Sequence, residues 1–153
     1  MAHKVVAVSG GFEILHIGHC QMFAAARALG DELIIILNND HWLRKKRLGT
    51  ALEGTIFVSE DERREMLECY VRYVDGVMLT DHPPYPTDMS VCNELRRLRP
   101  AVFANGGDRK PEGDPVPEVA LCRELGIEMF YNVGGGKVQS SSWILTKLIK
   151  AGL

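Results

Sequence analysis

Several things are scarce in this chain, and each scarcity excludes something. Its four cysteines, Cys20, Cys69, Cys92 and Cys122, stand far apart with no Cys-x-x-Cys pair. That spacing argues against a zinc ribbon or a disulfide framework and fits reduced, partly buried thiols on helices. Charge of one sign is not in excess: 18 lysines and arginines face 20 aspartates and glutamates, for a formal net charge of −2. No global basic field therefore points to nucleic acid or an anionic membrane, although a local site for a small anion stays open. The longest apolar run, near residues 33–37, is far too short to cross a bilayer. Met-Ala-His-Lys runs straight into an apolar stretch, without the pattern of a signal peptide, so a cytoplasmic location is expected. There is no internal repeat and no low-complexity linker. A length of 153 residues suits a single domain over 1–153 with its own apolar core.

What is present is an alternation of short apolar runs with longer segments of helical spacing. Strands are expected over residues 4–9, 33–37, 77–80, 101–104 and 128–131. Helices are expected over 18–29, 59–73, from Thr87 or Asp88 to 99, 116–125 and 140–150. Ser59 with Glu62 three residues on forms a capping-box pattern. Residues 38–58 show no clear periodicity and carry the run Arg44-Lys45-Lys46-Arg47. Strand–helix alternation implies an α/β fold: a Rossmann-like, doubly wound, five-stranded parallel sheet with helices on both faces. Ligands of such sheets bind beyond the carboxyl ends of the strands, next to strand one. The unusual segments of this chain fall there.

The first of them is Gly10-Gly11-Phe12-Glu13-Ile14-Leu15-His16-Ile17-Gly18-His19, between strand one and the first helix. Glycines admit a ligand close to the backbone, and a helix N-terminus offers free N–H groups and partial positive charge to phosphate. His16 and His19 are spaced to share one side of that turn and to donate hydrogen bonds to a polyphosphate. As half of a zinc site the pair lacks an obvious third ligand, and no bound metal is expected from it. The second segment is Ala104-Asn105-Gly106-Gly107-Asp108-Arg109-Lys110-Pro111-Glu112, a polar loop after strand four. The third is Gln139-Ser140-Ser141-Ser142-Trp143-Ile144, where Ser140 suits an N-cap and the preceding Gly134 to Gly136 leave room for a ligand.

Together these segments resemble the HIGH-motif cytidylyltransferase-like nucleotidyltransferases. The first is similar to their G-x-F-D-x-x-H-x-G-H signature. The second is similar to the GGD-x-KPE stretch of the heptose adenylyltransferases, and the third to the I-S-T-T-x-I motif. The resemblance covers nearly the whole chain and implies the strand order 3-2-1-4-5. The implied reaction transfers a nucleoside monophosphate from an NTP to a phosphorylated small-molecule acceptor, with Mg2+ and release of pyrophosphate. It implies catalytic roles for His16, His19, Lys46 and Arg63. Lys46 stands where the family has a phosphate-binding lysine, with Lys45 next by counting and Arg44 and Arg47 as further alternatives, and Arg63 matches an E-x-R arginine that clamps phosphates. It implies nucleotide contacts from Gly10, Gly11, Phe12, Gly18, Asp108, Ser140, Ser141 and Ser142, and a homodimer.

Two departures bear on substrate. Glu13 stands where the family usually has aspartate. The arginine that precedes the I-S-T-T motif in the glycerol-phosphate cytidylyltransferases is missing, with Lys137 the one cation in that region. The heptose type also lacks that arginine, which favours ATP over CTP. A CTP enzyme acting on an alcohol or sugar phosphate is the alternative within the class. A nucleotide-binding module without turnover is the alternative outside it.

Overall fold

The apolar runs become one sheet. The computed structural model describes residues 2–107 and 117–152. Strands β1 (Val5–Gly10), β2 (Glu32–Leu37), β3 (Gly76–Leu79), β4 (Val102–Ala104) and β5 (Glu128–Phe130) are all parallel, in the order β3-β2-β1-β4-β5. The expected Rossmann-like fold and its 3-2-1-4-5 order are thus present. Strand order reverses between β1 and β4, which opens a crevice at their carboxyl ends.

Alternation along each strand explains the two layers of helix. From β1, Val6 and Val8 face a cluster with Phe23 and Ala26 of α1 (Ile17–Arg27) and Leu67 of α3 (Glu60–Cys69). Ala7 faces the opposite cluster, with Leu95 of α4 (Cys92–Leu98) and Leu121 and Cys122 of α5 (Pro117–Leu125). Burial on both faces is why the strands read as unbroken apolar runs rather than alternating ones. α6 (Ser141–Lys150) differs from these helices, because none of its residues is buried.

Three local expectations change. Residues 38–58 contain a helix, α2 (Asp40–Lys46). Asn39 caps it, accepting from Trp42 N at 3.0 Å; Asp40 sits in its first turn, Arg44, Lys45 and Lys46 in its last, and Leu43 is buried. Each charge complements the helix dipole. The helix expected from Thr87 or Asp88 begins instead at Cys92, because Asp88 accepts from Ser90 N in a local turn. Glu118 of α5 accepts from Val91 N at 3.1 Å where a side-chain cap is absent. α3 stops at Cys69 rather than Tyr73, which has φ 76°. Its N-terminus is as expected, with Ser59 Oγ accepting from Glu62 N at 3.3 Å.

Candidate active site

The carboxyl ends of β1, β2, β4 and β5, together with the start of α6, enclose a cavity of about 870 Å3. That lies within the ~300–1,000 Å3 common for small-ligand pockets. Its floor is the β1–α1 turn. His16 is the N-cap of α1: its backbone is extended and its Nδ1 accepts from Gly18 N at 3.1 Å. That bond puts the imidazole proton on Nε2, leaving it as a donor. The His16 and His19 rings stack with centroids 3.8 Å apart. Burial, and secondarily the charge of Lys137, lower the His16 pKa below the ordinary histidine value. His16 is therefore neutral near neutrality and presents an N–H rather than a full charge.

Phe12 fixes His19. Its ring is nearly buried and makes edge contacts with His19 at 5.1 Å and Phe23 at 5.2 Å between centroids. To do so it adopts φ 46°, a left-handed conformation that costs a non-glycine residue free energy and is typically retained at functional sites. The buried Phe23 thus links the packing of the core to the β1–α1 turn.

The N-terminus of α6 faces the same floor. Ser140 caps it, accepting from Trp143 N at 3.0 Å, and its hydroxyl hydrogen remains to donate. Ser141 Oγ donates to Ile14 O at 3.2 Å, which ties α6 to the β1–α1 turn. Two helix N-termini and the side chains of His16, Lys46 and Lys137 therefore border one cavity. Such a concentration of N–H groups and cations suits an oligophosphate.

The wall after β4 and β5 is rich in glycine, with Gly106, Gly107 and Gly134 to Gly136 beside Asn105, Val133 and Lys137. A Cβ on Gly107 would lie 2.8 Å from Gly135 O, so the two glycine loops are in direct contact. Gly134 has φ 88°, and a Cβ there would come within 2.8 Å of Met22 Cα in α1. Only glycine fits that position. The opposite wall carries side chains: Trp42, Leu43, Lys46 and Arg47 of α2 and its end, with Thr50, Ala51 and Leu52 beyond. Glu13 anchors this wall. It pairs through Oε1 with Arg47, and its Oε2 accepts from Phe57 N at 2.8 Å and Val58 N at 3.2 Å. The extra methylene over aspartate thus serves a loop anchor.

The structure brings together Gly10, Gly11, Phe12, His16, Gly18, His19, Lys46, Ser140, Ser141 and Ser142 around this cavity. Asp108 lies outside the described residues. Arg63, expected as a phosphate clamp, is not among the residues that line the cavity. It is 1% exposed, and its guanidinium donates to Val58 O at 3.0 Å, to Gly11 O and Asn38 O at 2.7 Å each, and to Asp40 at 2.7 Å. It joins the ends of β1 and β2 to α2 and α3 from beneath. Trp42 and Lys137 were not among the expected site residues, yet both line the cavity. Each belongs to a lysine–indole pair, Lys46 Nζ at 5.0 Å from Trp42 and Lys137 Nζ at 5.3 Å from Trp143. Their only signal in the sequence was a lysine four residues after one tryptophan and six before the other. No cluster of three potential metal-ligating side chains is found among the described residues, and none of their helices is long and apolar enough to cross a membrane.

Comparison with known proteins agrees with this geometry. The chain is 32% identical over 148 residues to the bifunctional protein HldE of Citrifermentans bemidjiense, covering 97% of this chain and 28% of that protein. It therefore spans little more than a quarter of that relative. It is 34% identical over 124 residues to the FAD synthase of Pyrococcus abyssi, covering 81% of this chain and 75% of that one. The crystal structure of the lipopolysaccharide core biosynthesis protein from Thermoplasma volcanium shares the fold, with a TM-score of 0.63 at 21% identity over 85% of this chain and 96% of the other. The profile of the cytidylyltransferase-like family matches residues 7–112, and the chain belongs to that family of nucleotidyltransferases.

Proposed function

We propose that this chain transfers AMP from ATP to the phosphate of a small acceptor, a sugar phosphate being the favoured class, and releases pyrophosphate. The carrying observation is the convergence of the α1 and α6 N-termini, His16, His19, Lys46 and Lys137 on one cavity. An acceptor phosphate oxygen attacks the α-phosphorus of ATP in line. The new P–O bond forms as the bond to the bridging oxygen of pyrophosphate breaks. A phosphomonoester is already anionic near neutral pH, so no general base is needed, and none is evident among the floor residues. Catalysis rests on positioning and on charge neutralisation in the transition state. In this reading His16 Nε2–H and His19 donate to oxygens of the reacting phosphate. Lys137 and the α6 N-terminus hold the leaving pyrophosphate, Lys46 neutralises the acceptor phosphate, and buried Arg63 acts as a positioning residue. ATP is favoured over CTP because the 104–112 segment is similar to that of the heptose adenylyltransferases.

Mg2+ belongs to the proposal, and the residues present are compatible with it. Mg2+ keeps several waters and is commonly carried on substrate phosphates, so a carboxylate cage is not required. Asn38 Oδ1, buried beside the floor with no hydrogen-bond partner, would accept from the ion's water shell. When bound, the metal supplies further charge neutralisation on the triphosphate.

The test is pyrophosphate release, with ATP, CTP, GTP and UTP each offered against a panel of phosphorylated acceptors. Release with one pairing, reduced about 100-fold or more in kcat by His19→Ala, is expected. Release with CTP alone would move the assignment to a cytidylyltransferase. Nucleotide binding without release in any pairing would move it to a binding module.

A further inference from the structure

The α2 wall carries a tryptophan that phosphate chemistry does not require. Trp42 is half-buried and lines the cavity, and its Nε1 donates to Met89 O at 2.9 Å. That carbonyl belongs to the loop between β3 and α4, which is itself held rigidly. The buried His82 lies with Nδ1 2.9 Å from Thr80 Oγ1 and Nε2 3.0 Å from Ser90 O. Asn39, the cap of α2, donates through Nδ2 to His82 O at 2.9 Å and through its backbone N to Thr80 Oγ1 at 3.0 Å. The indole is therefore oriented from behind, with its polar atom already engaged. What it offers is its π surface.

The neighbouring polar side chains are engaged as well. Thr50 Oγ1 donates to Arg47 O and accepts from Leu52 N, and both carboxylate oxygens of Glu13 are bonded to Arg47 and the 57–58 backbone. A short open-chain polyol has no flat face to lay against the indole and would bury little apolar area on this wall. A flat, CH-rich or aromatic ring would bury area there and stack. Lys46 Nζ stands over that face, 5.0 Å from the ring centre, and would leave it for the acceptor phosphate as a ring takes its place.

We propose that Trp42 is the acceptor platform, and that the acceptor is a phosphate monoester with a ring body laid against the indole and its phosphate directed to Lys46. The assignment of sides rests on the proposed function. The glycine-rich slot at the β1/β4 switch point takes the nucleoside, which leaves the α2 side to the acceptor. The ring is either a pyranose or an aromatic system, and the experiment separates the two.

Pyrophosphate release is measured with ATP and four acceptors: glucose 1-phosphate, flavin mononucleotide, glycerol 3-phosphate and phosphoethanolamine. Trp42→Ala and Trp42→Phe are compared with the unaltered chain. The expected result is use of one ring acceptor, whose KM rises about tenfold in Trp42→Ala while the KM for ATP holds, with Trp42→Phe retaining most of the affinity. Preference for an open-chain acceptor overturns the proposal, as does a rise in the KM for ATP rather than for the acceptor. A second readout does not depend on turnover. In Trp143→Phe, Trp42 is the sole tryptophan. Its emission should change on titration with glucose 1-phosphate, or flavin emission should be quenched and recover in Trp143→Phe/Trp42→Ala. No response to either ring compound overturns the platform. An optical response without pyrophosphate release would keep it and remove the transferase reading instead.

Discussion

The two walls of the cavity are built on opposite principles. The wall after β4 and β5 is backbone pressed against backbone, with Gly107 against Gly135 and Gly134 against α1. The wall on α2 is a set of long side chains oriented from beneath by Arg63, Glu13 and the His82 loop. A glycine wall follows the outline of its ligand closely but has no rotamers to adjust. A side-chain wall can be altered residue by residue while the floor stays in place. The contrast puts selection by shape on the glycine wall and selection by chemistry on the α2 wall.

Three substitutions break or sharpen that contrast. The largest effect is expected from Arg63→Ala. It leaves three carbonyls and the Asp40 carboxylate without their donor and should cost about 3–5 kcal/mol of stability, read from urea or thermal melts. Loss of turnover with an unchanged melting curve would restore Arg63 as a phosphate clamp. Next is Gly134→Ala, where a side chain would meet Met22 in a strained backbone conformation. We expect a cost of about 1–3 kcal/mol, with a KM rise confined to the nucleotide. A rise confined to the acceptor would reverse the two sides.

The smallest effect is Lys137→Met, expected to raise the KM for the nucleotide about tenfold with little change in stability. It also removes the second cause of the lowered His16 pKa, so the His16 titration followed by NMR should move up while staying below the ordinary value. The sign for stability follows. With its folded pKa depressed, His16 contributes stability that is present above its unfolded pKa and is lost as pH falls through the folded one. The substitution narrows the gap between the folded and unfolded pKa, so the stability that His16 protonation removes on acidification should become smaller. An unmoved His16 titration would mean that Lys137 is not sensed at the floor.

How much of this was legible follows from where each signal resides. The β1–α1 turn was readable because its glycines, histidines and helix cap are contiguous, and Ser140 was readable as a cap for the same reason. Helix α2 was hidden because a run of four basic residues masked its Asn39 cap. The burial of Arg63 was not readable, because its partners Gly11, Asn38, Asp40 and Val58 come from separate segments that only the tertiary fold unites. A helix arginine one turn from an N-cap looks the same whether it faces solvent or a nest of carbonyls. Likewise the left-handed φ of Phe12 is set by its packing on Phe23 and has no counterpart in composition.

Helix α6 brings its N-terminus to the floor of the cavity while none of its residues is fully buried. Polar bonds hold its first turn, from Ser141 to Ile14 and from Trp143 N to Ser140. Amide protons of such an element exchange through local openings well below the global unfolding free energy. A bound oligophosphate would bridge the α1 and α6 N-termini and close those openings. At a concentration 100 times its dissociation constant, it would add about 2.7 kcal/mol. Occupancy of the active site would thus be written in the slowed hydrogen exchange of the last helix, a record that requires no turnover and no knowledge of the acceptor.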